Sequence, residues 1–545
     1  MLQRIRWTVL SLFVLTVFGI VMLQIVRIEA AQRSGQSIYT RPVPPSIGPT
    51  ECSTNVNIAE SMRTDPDFRM VNQDIDHIFQ KSLDELHNSP PKDQLHRMNL
   101  LGRLLLYDKN LSVNRNIACV SCHDADAGFT SGVELWNRTI VANPGSVPIT
   151  NAKDGSPNMR IASRKPLSYS YAPFSPILHY NATQQDFQGG NFWDMRATGL
   201  HTGNPSIEQA EGPPLDPDEM AMADKAAVVY RISQSPYRNF FEQVWGPQSF
   251  AINWPANIEQ LAATPASVSG GQEIIPLTPI ERGIVNDTYD HMATAIAINE
   301  AGPEVSPFTS KFDYALAHPN QKVLTADELT GWQLFRGKGK CNTCHTDGTN
   351  KAIGNRPITP KDIANTMPLF TDFTSANIGT PRNMALPFLC ENQPDQYGFV
   401  TNPQGKQYID RGVGDFLRGK RGGLPNMMWA RYADQFDGKF QVPTLRNVDK
   451  RPRPGFVKSY GHNGYFKSLK EIVHFYNTRD VLPKCTPGSP GEKVTCWPSS
   501  EVSKNMNTQI GHLGLTDKEE NQIVAFMQTL TDGYVAPVPG AKPNR

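Results

Sequence analysis

Apolar residues recur along this chain in three kinds of run. The first is continuous. Trp7 to Val26 holds twenty residues without a charge, after Arg4 and Arg6 and before Arg27. At 1.5 Å per helical residue the run spans roughly 30 Å, the depth of a bilayer core. Arginines ahead of it place the N-terminus in the cytoplasm and send the rest of the chain across the membrane. The expectation is an uncleaved transmembrane or signal helix over residues 1–31. Its alternative is a signal peptide cut at the weak small-residue site around Ala30 and Ala31. Residues 32–60 are polar, proline-rich and aperiodic, as a tether would be.

The second kind is periodic. Leu469, Ile472, Val473 and Tyr476 follow the i, i+3, i+4, i+7 rule, which predicts a helix beginning near Ser468 with Tyr476 turned inward. His474 falls about 200° away from Tyr476, on the side of Lys470 and Glu471. Ile523, Phe526, Met527 and Leu530 form a second stripe behind a capping box, Thr516 to Glu519. Another capping box, Thr325 to Glu328, opens a helix, and residues 286–303 carry a helical pattern in the first half of the chain. The third kind is an apolar run that ends in a loop before a cysteine pair: "LGRLLLYDKNLSVNRNIACVSCH" and "LTGWQLFRGKGKCNTCH". With 41 Gly and 44 Pro, most of the remainder reads as loop with few, short strands. A chain of 545 residues exceeds one ordinary core. Taking "HPNQK" (318–322) as a boundary gives a mainly α fold of two domains, 61–320 and 321–545.

Charge alters this picture little, because 53 Lys and Arg meet 52 Asp and Glu for a formal +1. Nothing there favours a polyanion, so nucleic acid is excluded as a partner. The basic run Leu417 to Gly423 reads as a solvated loop, with docking of an acidic electron donor as its alternative. The cysteines change more. "CVSCH" (119–123) and "CNTCH" (341–345) are C-x-x-C-H, the attachment pattern of a c-type haem. Two thiols, Cys119 with Cys122 and Cys341 with Cys344, add to the vinyl groups, and His123 or His345 ligates iron from one face. A zinc site made from both pairs, or a thioredoxin-like redox pair, is the competing reading. Two cytochrome c-type haem domains follow, with two covalent haem c groups. Of the other cysteines, Cys485 and Cys496 bracket a Pro/Gly loop whose ends meet easily, which predicts a disulfide in an oxidising compartment. Cys52 and Cys390 pair by elimination.

Beyond the cysteine motifs, "GGNFWDMRATGLHTGNPSIEQAEGPPLDPDEM" (189–220), "GKFQVPTLRNVD" (438–449), "YGHNGYFKSLKEIVHFYN" (460–477) and "LGLTDKEENQIVAFMQTLTDG" (513–533) resemble the bacterial di-haem cytochrome c peroxidase family over roughly residues 95–535. The resemblance implies that the haem of His123 handles peroxide, with Glu219 and Gln209 on its open face. A carboxylate there moves a proton between the two oxygens of peroxide. Trp193 matches the tryptophan lying between the haems. Fourteen residues after His462 the family places an axial methionine, or a tyrosine in its MauG-like subgroup, so Tyr476 becomes the sixth ligand of the haem of His345.

Departures from the family pattern carry expectations of their own. "HTGNPSI" (201–207) looks inserted, and Met195 stands where glycine is usual. Position 139 is Thr where many members hold a removable distal histidine, so the first haem is expected to be open without reductive activation. Arg164 and Lys165 occupy the segment that supplies a calcium ligand in the family. A cationic side chain cannot ligate calcium, which leaves only backbone oxygens near Val457 and Ser459 for that ion. The implied function is reduction of hydrogen peroxide to water with electrons from a small periplasmic cytochrome c or cupredoxin, in the periplasm and tethered to the inner membrane. Two rivals stand beside it: MauG-like oxidation of a residue in a partner protein, and a purely electron-transferring di-haem cytochrome.

Overall fold

The computed structural model describes residues 57–150, 155, 157–348, 358–364, 366–419 and 427–537. The expected membrane helix and almost all of the tether, with Cys52, lie outside the described residues. No helix among the described residues is long and apolar enough to cross a membrane.

Helices dominate, and β structure among the described residues is confined to three two-stranded antiparallel sheets and isolated bridges. Six helices frame the site: α1 (Gln94–Leu106), α2 (Pro205–Glu211), α3 (Pro279–Ala301), α4 (Ala326–Arg336), α5 (Leu469–Thr478) and α6 (Asp517–Gln528). Both expected capping boxes form, Thr325 with Glu328 at α4 and Thr516 with Glu519 at α6. The helix expected over 286–303 begins earlier. Thr278, Pro279 and Glu281 close a capping box at its true start, and polar Asn286 and Asp287 hide the apolar stripe within its first turns.

Each half is built the same way. The helix before the cysteine motif crosses a helix that returns from the end of its half, α1 over α3 and α4 over α6. A glycine sits at each crossing. A Cβ on Gly102 would collide with the carbonyl oxygen of Ala295, and one on Gly331 with that of Gln522. Ile523, Phe526, Met527 and Leu530, the stripe read from the sequence, are all buried in the second core with Trp332 and Phe335. Gly331→Ala is therefore expected to push α4 off α6 and lower stability by about 1–3 kcal/mol. A thermal melt of the haem-loaded protein reads that loss as a lower Tm; an unchanged Tm would mean the crossing relaxes freely.

Two large cores follow from this arrangement. One runs from Val71 to Ile296, and the other from Phe312 to Leu530, so Phe312 and Leu316 join the second just ahead of residue 320. The halves are laced together by polar contacts. Arg453 pairs with Asp67 and Glu134, Arg160 with Asp395, and Ser459 bonds Asn137. The Cys485–Cys496 disulfide is formed as expected.

Candidate functional site

Cys119 and Cys122 lie on a single helical turn, Cys119–Cys122, and none of the four motif cysteines is held in a disulfide. Cys119 packs against the first core and Cys341 against the second. Among the described residues no group of three or more His, Cys, Asp or Glu is placed to hold a metal ion, so the two pairs do not converge as a zinc site requires.

The histidines that follow them are prepared alike. His123 Nδ1 lies 3.0 Å from the carbonyl oxygen of Phe129, and His345 Nδ1 lies 3.0 Å from that of Phe370. A carbonyl only accepts, so Nδ1 carries the proton and Nε2 keeps a lone pair. Burial pushes both imidazoles down to about 4, which keeps them neutral at physiological pH. Tyr169 packs on His123 with ring centroids 4.9 Å apart and fixes its plane. Two thiols plus one neutral, oriented imidazole, twice over, fit two haem c groups. When bound, haem supplies an iron able to take up peroxide and exchange electrons one at a time.

Glu219 reaches the first cysteine pair from a tight turn. Pro213–Leu215 forms a 3-10 turn, Glu219 N–H donates to Asp216 O at 3.0 Å, and Ser146 N–H donates to Glu219 O at 2.6 Å. Gly145 allows this approach, since a Cβ there would strike the Asp218 carbonyl. Burial pushes the Glu219 carboxyl up to about 8, with Asp216 adding repulsion and Arg196 opposing both. Its charge in turn acts on Cys119 and Cys122, which places it near that pair. Gln209 lies near the end of α2. The 201–207 segment is held by Glu208, whose carboxylate accepts from the backbone of Gly199, His201 and Thr202 and from the Thr198 hydroxyl. Asn204 then caps α2.

Trp193 is 9% exposed, donates its indole N–H to Lys165 O at 3.1 Å, and meets His462 edge-on at 6.4 Å. Met195 takes φ +62°, the left-handed conformation glycine adopts freely. The turn is thus compatible with the family's glycine, and the methionine side chain fills a core with Phe187, Phe416 and Phe436.

On α5, Tyr476 packs on the second core and the charges of Cys341 and Cys344 act on its phenol, which burial pushes well above its ordinary value. Among the described residues its hydroxyl makes no hydrogen bond. His474 is occupied elsewhere: Nδ1 faces Glu520 Oε1 at 3.0 Å and Nε2 faces Val494 O at 3.3 Å. In the basic run, Arg418 is engaged by Asp437 and Asp434, and residues 420–423 lie outside the described residues.

Sequence reasoning missed three elements. Arg196, within "WDMRA", is the cation opposing ionisation loss at Glu219 and stacks over Phe192. Arg164 bridges Asp194 and Asp410, three bonds of 2.7 Å that join segments 246 residues apart. Burial alone would raise the Asp410 carboxyl, and Arg164 outweighs it. His462 stacks on Phe440 at 3.6 Å, between this network and Trp193.

Comparison with known proteins agrees with this geometry. A family model described as di-haem cytochrome c peroxidase matches residues 96–321. The methylamine utilization protein MauG of Paracoccus denitrificans is 28% identical over 450 residues, 80% of this chain and 89% of that protein. Cytochrome-c peroxidase IdrP1 of Denitromonas iodatirespirans is 24% identical, covering 79% and 80%. A solved variant of the diheme peroxidase BthA from Burkholderia thailandensis superposes with a TM-score of 0.55 at 25% identity, covering 80% of this chain and 86% of that one. The two haem-ready motifs, the carboxyl near the first and these likenesses converge: the chain is similar to di-haem cytochrome c peroxidases along most of its length, and residues 96–321 match that family's model.

Proposed function

We propose that this peroxidase reduces hydrogen peroxide to water at the haem carried by Cys119, Cys122 and His123, with Glu219 as its acid/base group and Gln209 beside it. The observation that carries the proposal is Glu219 itself, half-buried near the first cysteine pair with its carboxyl raised toward neutrality. A group of that kind takes the proton from the near oxygen of peroxide and returns it to the far one as the O–O bond breaks; two electrons and two further protons complete two waters. Arg196 limits how far Glu219 rises, so the ionised form stays within reach at neutral pH.

Cys341, Cys344 and His345 would hold the second haem, with Tyr476 as a further ligand, and Trp193 would carry charge between the two sites. A small periplasmic redox protein serves as donor, and the N-terminal apolar run holds the enzyme at the inner membrane. Calcium is not required by this reading, because buried Lys165 and Lys458 already bring positive charge near the first motif.

A second reading, oxidation of a residue in a partner protein as the MauG likeness suggests, is favoured by one observation. The Tyr476 phenol stands beside the second cysteine pair with no hydrogen-bond partner of its own among the described residues. Steady-state turnover with reduced cytochrome c and peroxide separates the readings. Sustained turnover is expected, with two haems per chain by pyridine haemochrome and a high-spin component in the resting ferric spectrum. Slow turnover with a modified protein product supports the second reading, and a wholly low-spin spectrum overturns both.

A further inference from the structure

Two lysines are buried and a third is half-buried where the two halves meet, and two of the three are served by carbonyl oxygens. Lys458 Nζ donates to the carbonyl oxygens of Ala127, Lys450 and Asn447 at 2.8, 3.0 and 3.4 Å. Lys467 Nζ donates to those of Asn137 and Gly464 at 2.7 and 2.8 Å. Lys165 differs. It is 9% exposed, yet its Nζ finds no hydrogen bond and no carboxylate among the described residues. The carboxylates of Asp194 and Asp410 are already claimed by its neighbour Arg164.

Its backbone, by contrast, is held on both sides. Lys165 N–H donates to His462 O at 2.9 Å, and its carbonyl accepts the Trp193 indole at 3.1 Å. The residue is therefore fixed beside Trp193, and its charge reaches His123 and Lys458. An ammonium left alone inside a protein is costly, and buried charges are found paired. Among the described residues Lys165 meets no anion, but a haem brings two carboxylates.

We propose that Lys165 is a positioning residue for the haem attached at Cys119 and Cys122, its ammonium pairing with that haem's carboxylates and favouring the reduced iron. The inference rests on the haem attachment proposed above. A fixed positive charge near a redox centre stabilises the state with one more electron, by simple Coulomb attraction in a low-dielectric site.

The test is spectroelectrochemical titration of the two-haem protein. In Lys165→Met the reduction equilibrium of the haem on His123 should move about ten-fold toward the oxidised form, 59 mV for a one-electron couple. The haem on His345 should move less than half as far, and Lys165→Arg should restore the wild-type value. If Met and Arg variants shift alike, Lys165 only props Trp193 and the proposal falls; it falls also if neither shifts. Should Lys165→Met lose the haem of Cys119 and Cys122 while Lys165→Arg keeps it, charge pairing is again what holds the group, whereas loss in both variants overturns the proposal. Haem stoichiometry of the unmodified protein is measured first, so failure of the attachment itself is recognised separately.

Discussion

Glu219→Gln is expected to lower steady-state peroxide turnover by about 10²-fold or more while leaving both haems attached, the typical worth of a positioned acid/base group. The amide keeps the shape of the side chain but cannot exchange a proton. The turn that presents it is held through main-chain atoms, Glu219 N–H to Asp216 and Ser146 N–H to Glu219, so the exchange leaves the scaffold alone. Near-normal turnover would remove Glu219 from the mechanism.

The pH dependence carries a second signature of the same residue. A base works in its ionised form, so kcat/KM for peroxide should rise with pH along a limb whose midpoint lies no higher than about 8, the value reached without the positive iron. Asp218, which burial also raises, interacts with Glu219, so the limb belongs to the pair more than to one carboxyl. The Gln variant should lack it. Stability moves the other way. Glu219 holds its proton more tightly folded than at the ordinary 4.5, so its stabilising contribution is complete below about 4.5 and is lost as pH rises through about 8. The Gln variant, always neutral, should therefore gain in Tm relative to wild type across that interval.

What the sequence made legible was local and periodic. Capping boxes at Thr325 and Thr516 and the stripe through Ile523 to Leu530 depend on spacings of three and four residues, and each stands in the structure as read. The pattern on α5 was read less completely. Phe475 and Asn477, off the predicted face, are buried because a second layer covers them: Phe475 meets Trp497 and Phe466 at ring distances of 4.9 and 5.0 Å, and Asn477 bonds Leu515 O and Glu520. A helix sandwiched between two neighbours has no single apolar stripe to find. The site was harder still. Glu219, Gln209 and Trp193 are scattered in polar or glycine-rich loops without periodicity, and only motif resemblance singled them out. The Arg164 network joins positions 164, 194 and 410, and no spacing rule reaches across such separations. Lys165 was read as a residue that cannot bind calcium; its burial without an anion shows only in three dimensions.

Tyr476→Met is expected to raise the reduction potential of the haem on His345 by on the order of 0.1 V, given the range axial ligands command. The phenol of Tyr476 lies near Cys341 and Cys344, and its hydroxyl is not spent on another hydrogen bond among the described residues. An oxygen anion there donates to iron and favours its higher charge, whereas a thioether favours the lower. Methionine suits the site sterically, being unbranched and at home in an apolar core such as the one around Leu469 and Val473. A spectroelectrochemical titration should then find the second haem reduced at a higher potential than in the wild type, and the resting spectrum should lose its phenolate character. An unchanged potential and spectrum would make Tyr476 core packing alone. His474 does not stand ready as a substitute ligand, because Glu520 and the Val494 carbonyl already occupy both of its nitrogens. An unchanged result would therefore also leave α5 without a sixth ligand, and the second haem would have to be five-coordinate or ligated from another element.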